Sequence, residues 1–384
     1  MSNPWCRISP YIIVWLLRIL VVLVLGIETS CDETAAAVIA DGSEVRSNII
    51  ASQHAIHAAY GGVVPELACR SHIENLQPVI AAAIEQAHVT LGDIDALAVT
   101  HGPGLVGALL VGVSLAKALA YSLGKPLIAV HHLEGHISAI YLEYAAVPSP
   151  YIALVVSGGH SDLYYCPQRG HYVVLGRTRD DAAGESFDKV AKMLHLGYPG
   201  GPIVDRLAQQ GEPSAIHFPR AMLDKETFDF SFSGVKTAVR SHVLQMRDTR
   251  GERFFHDDMF WPLPTSPEWE SHRNNIMASF QQAVVDVLVT KTRRAVVQTE
   301  ACAIVVVGGV ACNSTLRSEM RRAGEGCGVP VFFPSPILCT DNAAMIACAA
   351  AHRYQMAPRY YHEQCFLDLD AQPDLTLSNI LAEA

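Results

Sequence analysis

The hydrophobic and polar positions of the chain follow one layout twice. The first copy starts with the apolar run VVLVLGIE, a small polar turn and a second apolar run, and later reaches ALAVTHGPGLVGALL. The second copy starts with YIALVVSGGHSDLYYC and later reaches CAIVVVGGVACNSTLRSEM. Each copy therefore predicts a strand–turn–strand unit followed by a strand, a glycine-containing loop and a helix. This repetition predicts a duplicated α/β domain with a cleft between the two copies.

Interruptions of the pattern set the predicted domain boundaries. Pro and Ser residues in AAVPSP, at 145–150, separate the two copies. We expect an N-terminal domain over 21–147, completed by a C-terminal helix over 341–355, and a C-terminal domain over 148–340. A polar, aromatic and proline-containing insertion without periodicity is expected at 245–275.

Both ends of the chain are expected to lie outside the two domains. Residues 10–25 are apolar apart from Arg18. The uninterrupted stretch after Arg18 is too short to span a bilayer, and no small-residue cleavage site follows it. We therefore predict that residues 1–20 are an extension rather than a membrane anchor, and that residues 356–384 form a loosely packed tail.

Charge and cysteine content restrict the possible functions. The 384 residues carry a formal net charge of −10, whereas a dedicated nucleic-acid binder usually carries clustered Lys and Arg. None of the ten cysteines forms a CxxC pair, which argues against zinc ribbons and thioredoxin-type redox sites. Three cysteines in apolar runs, Cys302, Cys339 and Cys348, are expected to be buried and reduced, which favours a cytoplasmic location.

Three glycine-containing turns follow predicted strands: GIETS at 26–30, VSGGH at 156–160 and VGGVACN at 307–313. Glycine lets backbone N–H groups approach a phosphate closely because no Cβ intervenes. One such turn is often purely structural, but three in both copies indicate a nucleotide in the cleft. The chain has no GxxxxGK[ST] motif, so a P-loop is excluded. The actin-like ATPase (ASKHA) fold is therefore the predicted fold class.

Two histidines predict a metal site. His132 and His136 are four residues apart at the start of a predicted helix, so their imidazoles share one face. Glu134 points about 200° away from that face at ~100° per residue, which argues against HExxH protease chemistry. Asp341 is a candidate third ligand, although an Asp before an apolar helix is also a good N-cap. Two histidines and one carboxylate are typical of non-haem Fe(II), while Zn(II) would also bind.

Several motifs occur in collinear order between about residues 21 and 352, the longest being KALAYSLGKPLIAVHHLEGHI at 117–137. The others are GIETSCDET, GGVVPELACRSHIENL, THGPGLVGALLVG, VVSGGH, DDAAGESFDKVAKML, GYPGGP, FSFSGVKTAV, GGVACN and TDNAAMIA. Together they resemble the bacterial-type TsaD family, formerly described as glycoproteases. The resemblance implies an actin-like fold of two RNase H-like domains.

The resemblance also implies roles for individual residues. One divalent metal ion per subunit, Fe(II) or alternatively Zn(II), is expected on His132, His136 and Asp341. Glu33 matches the acidic residue proposed to assist transfer, although a solvated hairpin carboxylate is an equal alternative. The residues expected to contact a threonylcarbamoyl-adenylate are Val155, Val156, Ser157, Gly158, Gly159, Asp188, Gly201, Asp205 and Asn313. Two positions depart from the family pattern without removing a ligand, Cys312 and Ser161.

The implied activity is transfer of a threonylcarbamoyl group from threonylcarbamoyl-AMP to an adenine beside the anticodon of tRNA. The resemblance implies TsaB and TsaE as partners, a TsaC-type enzyme as the supplier of substrate, and no membrane. A local basic patch is a further way for an acidic chain to bind tRNA. The candidate patches are Lys291, Arg293 and Arg294, for which a solvated helix face is the alternative, and Arg321 with Arg322.

Three other functions stay open at this point. A small-molecule kinase or ATPase on the same fold would release ADP. A metalloprotease is disfavoured by the direction of Glu134. A non-catalytic scaffold paralogue such as TsaB is expected to lack the two histidines that this chain has.

Overall fold

A computed structural model describes residues 21–223, 225–246 and 266–377. The predicted extension at 1–20 lies outside the described residues. So does most of the predicted insertion.

The first sheet contains five strands, β1 (Leu23–Glu28), β2 (Glu33–Ala40), β3 (Glu44–Ser52), β4 (Ala96–Gly102) and β5 (Leu127–His131). Their order is β3-β2-β1-β4-β5. β1 is antiparallel to β2 and parallel to β4, and β4 is parallel to β5. β1 therefore lies in the centre of the sheet, and all its residues except Leu23 are buried.

The second sheet repeats this arrangement with β6 (Tyr151–Val156), β7 (Ser161–Cys166), β8 (Val173–Arg177), β9 (Ala303–Val307) and β10 (Val331–Phe332). Their order is β10-β9-β6-β7-β8. β6 is antiparallel to β7 and parallel to β9, as β1 is to β2 and β4. The two sheets thus share one topology, as the repeated sequence pattern predicts.

Twelve α-helices occur in the described residues. They are α1 (His54–Ala58), α2 (Pro65–Gln86), α3 (Val106–Leu123), α4 (His132–Ser138), α5 (Ala183–Met193), α6 (Gly200–Ala208), α7 (Ser233–Gln245), α8 (Pro267–Thr299), α9 (Ser314–Cys327), α10 (Pro336–Cys339), α11 (Ala343–Met356) and α12 (Pro358–Glu363). A short 3-10 turn, Gly309–Cys312, follows β9.

Apolar packing joins the two sheets. Alternate residues of β2 face opposite sides, so Ala35 and Ala37 lie in one cluster and Ala36 and Val38 in another. The first cluster also contains α4, α11 and the inner faces of β6, β7 and β9. The second is closed by α2 and α3. The helices α4 and α11 therefore lie in the apolar layer that both sheets share.

Among the described residues, α3 is the one helix long and apolar enough to cross a membrane. It packs against α2 and β4.

Two sequence predictions about irregular segments are wrong in part. The long helix α8 begins at Pro267, inside the segment 245–275, because Ser266 accepts a hydrogen bond from the Trp269 N–H and the Trp269 ring is buried. The tail was predicted to be loosely packed, but Leu377, close to the end of the described residues, is buried. The domain boundaries stay a prediction.

The tail is held to the first sheet by backbone hydrogen bonds. Gln372 N–H donates to the carbonyl of His101 at 2.7 Å, and Gly104 N–H donates to the carbonyl of Pro373 at 3.2 Å. Lys117 Nζ donates to the Leu369 carbonyl at 2.9 Å.

The cysteines differ in burial. All nine cysteines that the structure describes are free thiols. Cys339 and Cys348 are buried as predicted, but Cys302 is exposed because it lies just before the start of β9, not within it.

Candidate metal and nucleotide site

The histidine pair is positioned by the junction of β5 and α4. His131 ends β5 and caps α4, since its side chain accepts a hydrogen bond from Leu133 N–H at 3.1 Å. The helix then brings the rings of His132 and His136 to a centroid separation of 4.7 Å. Both imidazoles are buried. The spacing of four residues thus gives the shared face that the sequence predicts.

Asp341 reaches the same point from the other end of the chain. It lies between α10 and α11, and the neighbouring Asn342 takes the N-cap position of α11 by accepting from Met345 N–H. Asp341 Oδ1 is 3.1 Å from His136 Nε2 and 3.6 Å from His132 Nε2. The N-cap alternative for Asp341 is therefore wrong, because its neighbour makes that bond.

The three side chains fit a small divalent cation. Their donor atoms all lie within 4.8 Å of one another. Two donors bonded to one ion at about 2.0–2.1 Å lie at most about 4.2 Å apart, and Asp341 Oδ1 is within this limit of both histidine Nε2 atoms. Both ring nitrogens of His136 are buried, and neither makes a well-aligned hydrogen bond to the residues that the structure describes. A metal ion would give one of these nitrogens a partner.

A second carboxylate lies behind the histidines. His132 Nδ1 is 3.2 Å from Glu28 Oε2 and 3.1 Å from Ser30 Oγ, and Thr100 Oγ1 donates to the same Glu28 oxygen at 2.6 Å. Burial alone would lower the pKa of His132, but Asp341 and Glu28 raise it to about 9. A carboxylate on the far nitrogen fixes the ring so that Nε2 faces the metal. Glu28 was not among the predicted site residues, although its place at the carboxyl end of a buried strand was a usable signal.

Glu134 points away from this centre. Its carboxylate pairs with Arg353 of α11, with Arg353 Nε 3.0 Å from Glu134 Oε1, and both side chains are largely buried. The prediction that Glu134 cannot serve the histidine site is confirmed, and no metalloprotease arrangement results.

The VSGGH turn lies beside the histidines. Ser157 N–H donates to the His160 carbonyl at 2.9 Å, which closes the turn. Burial, together with the charges of His132 and His136, lowers the pKa of His160 to about 3. A Cβ built on Gly158 or Gly159 would meet no atom within 4 Å. The turn therefore borders open space next to the candidate metal site.

The other predicted adenylate residues border the same sheet. Val155 and Val156 are fully buried in β6, so neither side chain is available to a ligand. Asp188 Oδ1 accepts from Gly200 N–H at 2.7 Å, and a Cβ on the next residue, Gly201, would meet nothing within 4 Å.

Asp205 and Asn313 are linked by a residue that the sequence analysis did not identify. Gln281 Nε2 donates to Asp205 Oδ1 at 3.1 Å, and Asn313 Nδ2 donates to Gln281 Oε1 at 2.7 Å. Asp205 also accepts from the Ser314 hydroxyl at 2.7 Å. These contacts fix the start of α9 relative to α6.

In one predicted phosphate turn, GIETS, the glycine does not lie in the turn. Gly26 lies inside β1, and a Cβ there would be 2.5 Å from the carbonyl oxygen of Ala343 and 2.9 Å from Ala347. The glycine is needed so that α11 can approach the strand, and it does not face a ligand. Gly308 has φ +92° and packs against Val156, so in the third turn only Gly309 borders open space.

Glu33 is not a solvated hairpin carboxylate. It begins β2, is 8% exposed, and accepts from Ser52 Oγ at 3.0 Å. His54 Nε2 lies 3.3 Å from the same oxygen. Burial and the neighbouring Asp32 raise the pKa of Glu33 to about 8. Its environment suits a group that gains and loses a proton near neutral pH.

The first predicted basic patch is reduced to one exposed cation, Arg293. Lys291 is fully buried and donates to the carbonyls of Thr227 and Asp229, so for this residue both the RNA patch and the solvated helix face are wrong. Arg294 donates to the carbonyls of Leu223 and Lys225.

The second predicted patch is exposed. Arg321 lies 5.3 Å from the Phe333 ring centre, and Arg322 pairs with Glu319 at 3.0 Å.

Comparison with known proteins gives close relatives. A family model described as "TsaD: tRNA N6-adenosine threonylcarbamoyltransferase" matches residues 44–348. The tRNA N6-adenosine threonylcarbamoyltransferase of Moorella thermoacetica is 53% identical over 358 residues, covering 92% of this chain and 97% of the relative. The enzyme of the same name from Syntrophotalea carbinolica is also 53% identical, covering 91% of this chain and 94% of the relative.

Solved structures show the same fold at low identity. Component A of the (R)-2-hydroxyglutaryl-CoA dehydratase of Acidaminococcus fermentans has a TM-score of 0.51 at 16% identity, covering 88% of this chain and 100% of that chain. HypF, in its phosphate- and nucleotide-bound form, has a TM-score of 0.54 at 13% identity, covering 88% of this chain and 46% of that one. The predicted actin-like fold class is confirmed.

Proposed function

Because this chain belongs to the TsaD family of tRNA N6-adenosine threonylcarbamoyltransferases, we propose that its transfer reaction takes place beside the His132–His136–Asp341 cluster. The donor in this proposal is threonylcarbamoyl-AMP, and the acceptor is N6 of the adenine on the 3′ side of the anticodon, in tRNAs that read codons beginning with A. The observation that carries it is the convergence of two histidines and a distant carboxylate next to an open glycine turn.

His132, His136 and Asp341 hold the metal ion in this proposal, and Glu28 fixes the His132 ring. A divalent ion at this place supplies Lewis acidity toward a carbamoyl or phosphate oxygen. Two histidines and one carboxylate favour Fe(II), with Zn(II) as the alternative.

The protein's own groups orient the two substrates. A Cβ on Gly158 or Gly159 would meet no atom within 4 Å, and the backbone N–H groups of this open turn are proposed to hold the phosphate of the adenylate. Four further residues are proposed to contact the nucleoside: Asp188, Gly201, Asp205 and Asn313. The acyl group arrives activated, so no covalent nucleophile is required. Burial and Asp32 raise the pKa of the Cys31 thiol, which makes it a poor candidate for one.

Glu33 is proposed to accept the proton that the adenine amine loses as it attacks the carbamoyl carbon. Its oxygen Oε2 is buried and has no hydrogen-bond partner among the residues that the structure describes, so it can accept a hydrogen bond from a substrate. A base works best when its pKa is close to the working pH, as burial arranges here.

Partner proteins are proposed to help with tRNA, which is the substrate of this family. The net charge of −10 opposes binding to the tRNA backbone, and two of the predicted cations, Lys291 and Arg294, are engaged by backbone carbonyls. TsaB and TsaE are the proposed partners, a TsaC-type enzyme the proposed supplier of the adenylate, and the cytoplasm the proposed compartment.

His136→Ala tests the metal site. We expect it to lose bound metal and to abolish transfer, because it removes one of two nitrogen ligands, while circular dichroism stays unchanged. Transfer is measured with labelled threonine, bicarbonate, ATP, partner proteins and unmodified tRNA, followed by hydrolysis of the RNA. His217→Ala, at an exposed histidine, is the matched control. Normal metal content with full transfer in His136→Ala would end the metal-site proposal, and release of ADP without labelled RNA would favour a kinase.

Gly159→Val tests the phosphate turn. Its side chain has room in the free protein but would occupy the space where the phosphate is expected, so AMP affinity should fall at least tenfold, measured by calorimetry. The control is Gly326→Val, since Gly326 is exposed on α9 and also borders open space. Equal AMP affinity in both variants would move the adenylate away from this turn.

A further inference from the structure

Two thiols from neighbouring segments of the chain lie together beside the candidate nucleotide site. Cys312 closes the 3-10 turn after β9, and Cys339 ends α10, which packs against that turn. Cys312 Sγ lies 3.8 Å from the Pro336 carbonyl oxygen and Cys339 Sγ lies 3.3 Å from the Pro334 carbonyl oxygen, so the two side chains meet at the same strip of backbone. Cys312 is partly exposed and Cys339 is buried. A reagent from solvent therefore reaches one sulfur of the pair first.

A single arginine fixes the two segments that carry the thiols. Arg317 Nε donates to the Ala311 carbonyl at 2.7 Å, and its Nη2 donates to the Pro334 carbonyl at 2.9 Å. The same Nη2 is 3.5 Å from Cys339 Sγ. The guanidinium thus holds both segments in place and puts a positive charge beside the pair. Neighbouring cations favour the reactive thiolate form of cysteine.

The local environment makes the exposed thiol the reactive one. The hydrogen bond with Cys339 and the charge of Arg317 lower the pKa of Cys312 to about 7, although burial opposes this. The Sγ of Cys339 also lies 3.3 Å from the Pro334 carbonyl oxygen, and this buried thiol is the second partner.

We propose that Cys312 and Cys339 form a reversible disulfide when the protein meets a hydroperoxide. The Cys312 thiolate attacks the outer oxygen of the peroxide O–O bond, giving a sulfenic acid at Cys312 and releasing an alcohol, or water in the case of hydrogen peroxide. The Cys339 sulfur then displaces the sulfenic hydroxyl, which leaves as water with the Cys339 proton. The two sulfurs together lose two electrons, and the peroxide gains them.

This disulfide would connect the two halves of the proposed site. The residue after Cys312 is Asn313, and Asp341 follows Cys339 by two positions. An inference about activity rests on the proposed function. The disulfide would tie the turn proposed to hold the nucleotide to the segment proposed to hold the metal, and this restraint should lower transfer activity.

The chemical step is tested on the full chain without any activity assay. The protein is treated with hydrogen peroxide, free thiols are blocked with N-ethylmaleimide, and peptides are analysed by mass spectrometry. Trypsin cleaves after Arg294, Arg317, Arg322 and Arg353, so Cys312 shares a peptide with Cys302, and Cys339 shares one with Cys327 and Cys348. We expect a cross-linked species that has lost two hydrogens, with fragment ions that place the bond between Cys312 and Cys339.

Matched variants identify the sulfurs. Cys312→Ala should abolish the cross-link, whereas Cys302→Ser, in the same peptide and exposed, should leave it intact. Cys339→Ala should also abolish the cross-link, but it changes a buried position. If Cys339→Ala does not fold, the comparison of Cys312→Ala with Cys302→Ser still tests the proposal. Oxidation confined to exposed Cys302 or Cys365, or a cross-link that persists in Cys312→Ala, would overturn the proposal.

The effect on activity is measured separately. Transfer by the oxidised wild type should fall and return after dithiothreitol, whereas Cys312→Ala should keep its activity through the same treatment. If the cross-link forms but transfer activity is unchanged, the inferred effect on activity is wrong, and the disulfide itself stands. Absence of transfer in the reduced wild type would instead contradict the proposed function.

Discussion

At the scale of single residues, Glu33 shows how burial creates a group that titrates near neutral pH. Its carboxylate is buried between Asp32, Ser52 and His54, and burial with the Asp32 charge raises its pKa to about 8. The groups facing it are therefore one carboxylate, one hydroxyl and one imidazole. A sequence alone could place Glu33 at a turn, but it could not show whether solvent reaches it.

Glu33→Gln should change how both rate and stability depend on pH. If Glu33 accepts the proton in transfer, the wild-type rate should rise with pH up to about 8 and then level off, because the carboxylate must be ionised to act. The Gln variant should be slow and lack that rise. A rise through pH 8 that persists in the Gln variant would assign the titration to another group.

The stability effect has a definite sign. Below the unfolded value of 4.5, Glu33 is protonated in both states. Between 4.5 and 8 the folded state holds the proton more tightly, so the free energy of unfolding of the wild type decreases as pH rises through this window. The free energy of unfolding of Glu33→Gln, relative to that of the wild type, should therefore be higher at pH 9 than at pH 4. Denaturant titrations at the two pH values measure this difference, and an equal difference at both would contradict it.

At the scale of elements, α11 is the part on which the candidate site depends most. It packs on β1 at Gly26 and on α4 at Gly135, where a Cβ would be 2.6 Å from the Ile346 side chain. The buried pair of Glu134 and Arg353 also joins α4 to α11. Asp341 precedes this helix by two residues, so the helix position sets the distance between Asp341 and the histidines.

Gly26→Val should disturb that position. The added side chain meets the backbone of Ala343, which cannot move aside without shifting α11. Overpacking of this kind costs about 1–3 kcal/mol of the free energy of unfolding. Metal affinity should also fall, because Asp341 moves with the helix. Denaturant unfolding and metal titration are the measurements.

The matched control is Gly326→Ala, at an exposed helical glycine that borders open space. It should be neutral or stabilising, since Ala is favoured over Gly within helices by about 1 kcal/mol. Gly26→Val with unchanged stability and metal affinity would show that α11 does not control the site.

At the scale of the whole molecule, the repeated topology was predictable and several local roles were not. Two strand–turn–strand patterns, each followed by a strand and a helix, were enough to predict two similar sheets. Gly26 was misread because a glycine in a strand looks the same in sequence whether a ligand or a helix approaches it. Lys291 was misread because a cation facing backbone carbonyls cannot be told from a solvated one by sequence.

The candidate metal site was partly predictable. The spacing of His132 and His136 indicated a shared face from helix geometry alone. The meeting with Asp341 depended on a resemblance, since the two segments are about 200 residues apart in the chain. Glu28 was missed because its partners, Thr100 and His132, are 72 and 104 residues away. Local patterns carry no information about contacts of that range.

The late position of α11 has a consequence for biosynthesis. The strands of the first sheet leave the ribosome early, but the helix that packs between the sheets comes from residues 343–356. Until these residues emerge, a nascent chain has both histidines and lacks the aspartate. One apolar face of its first sheet is also exposed to solvent. Such a chain is prone to aggregate. Truncation before α11, or a translational pause before it is made, should therefore lower the yield of folded protein.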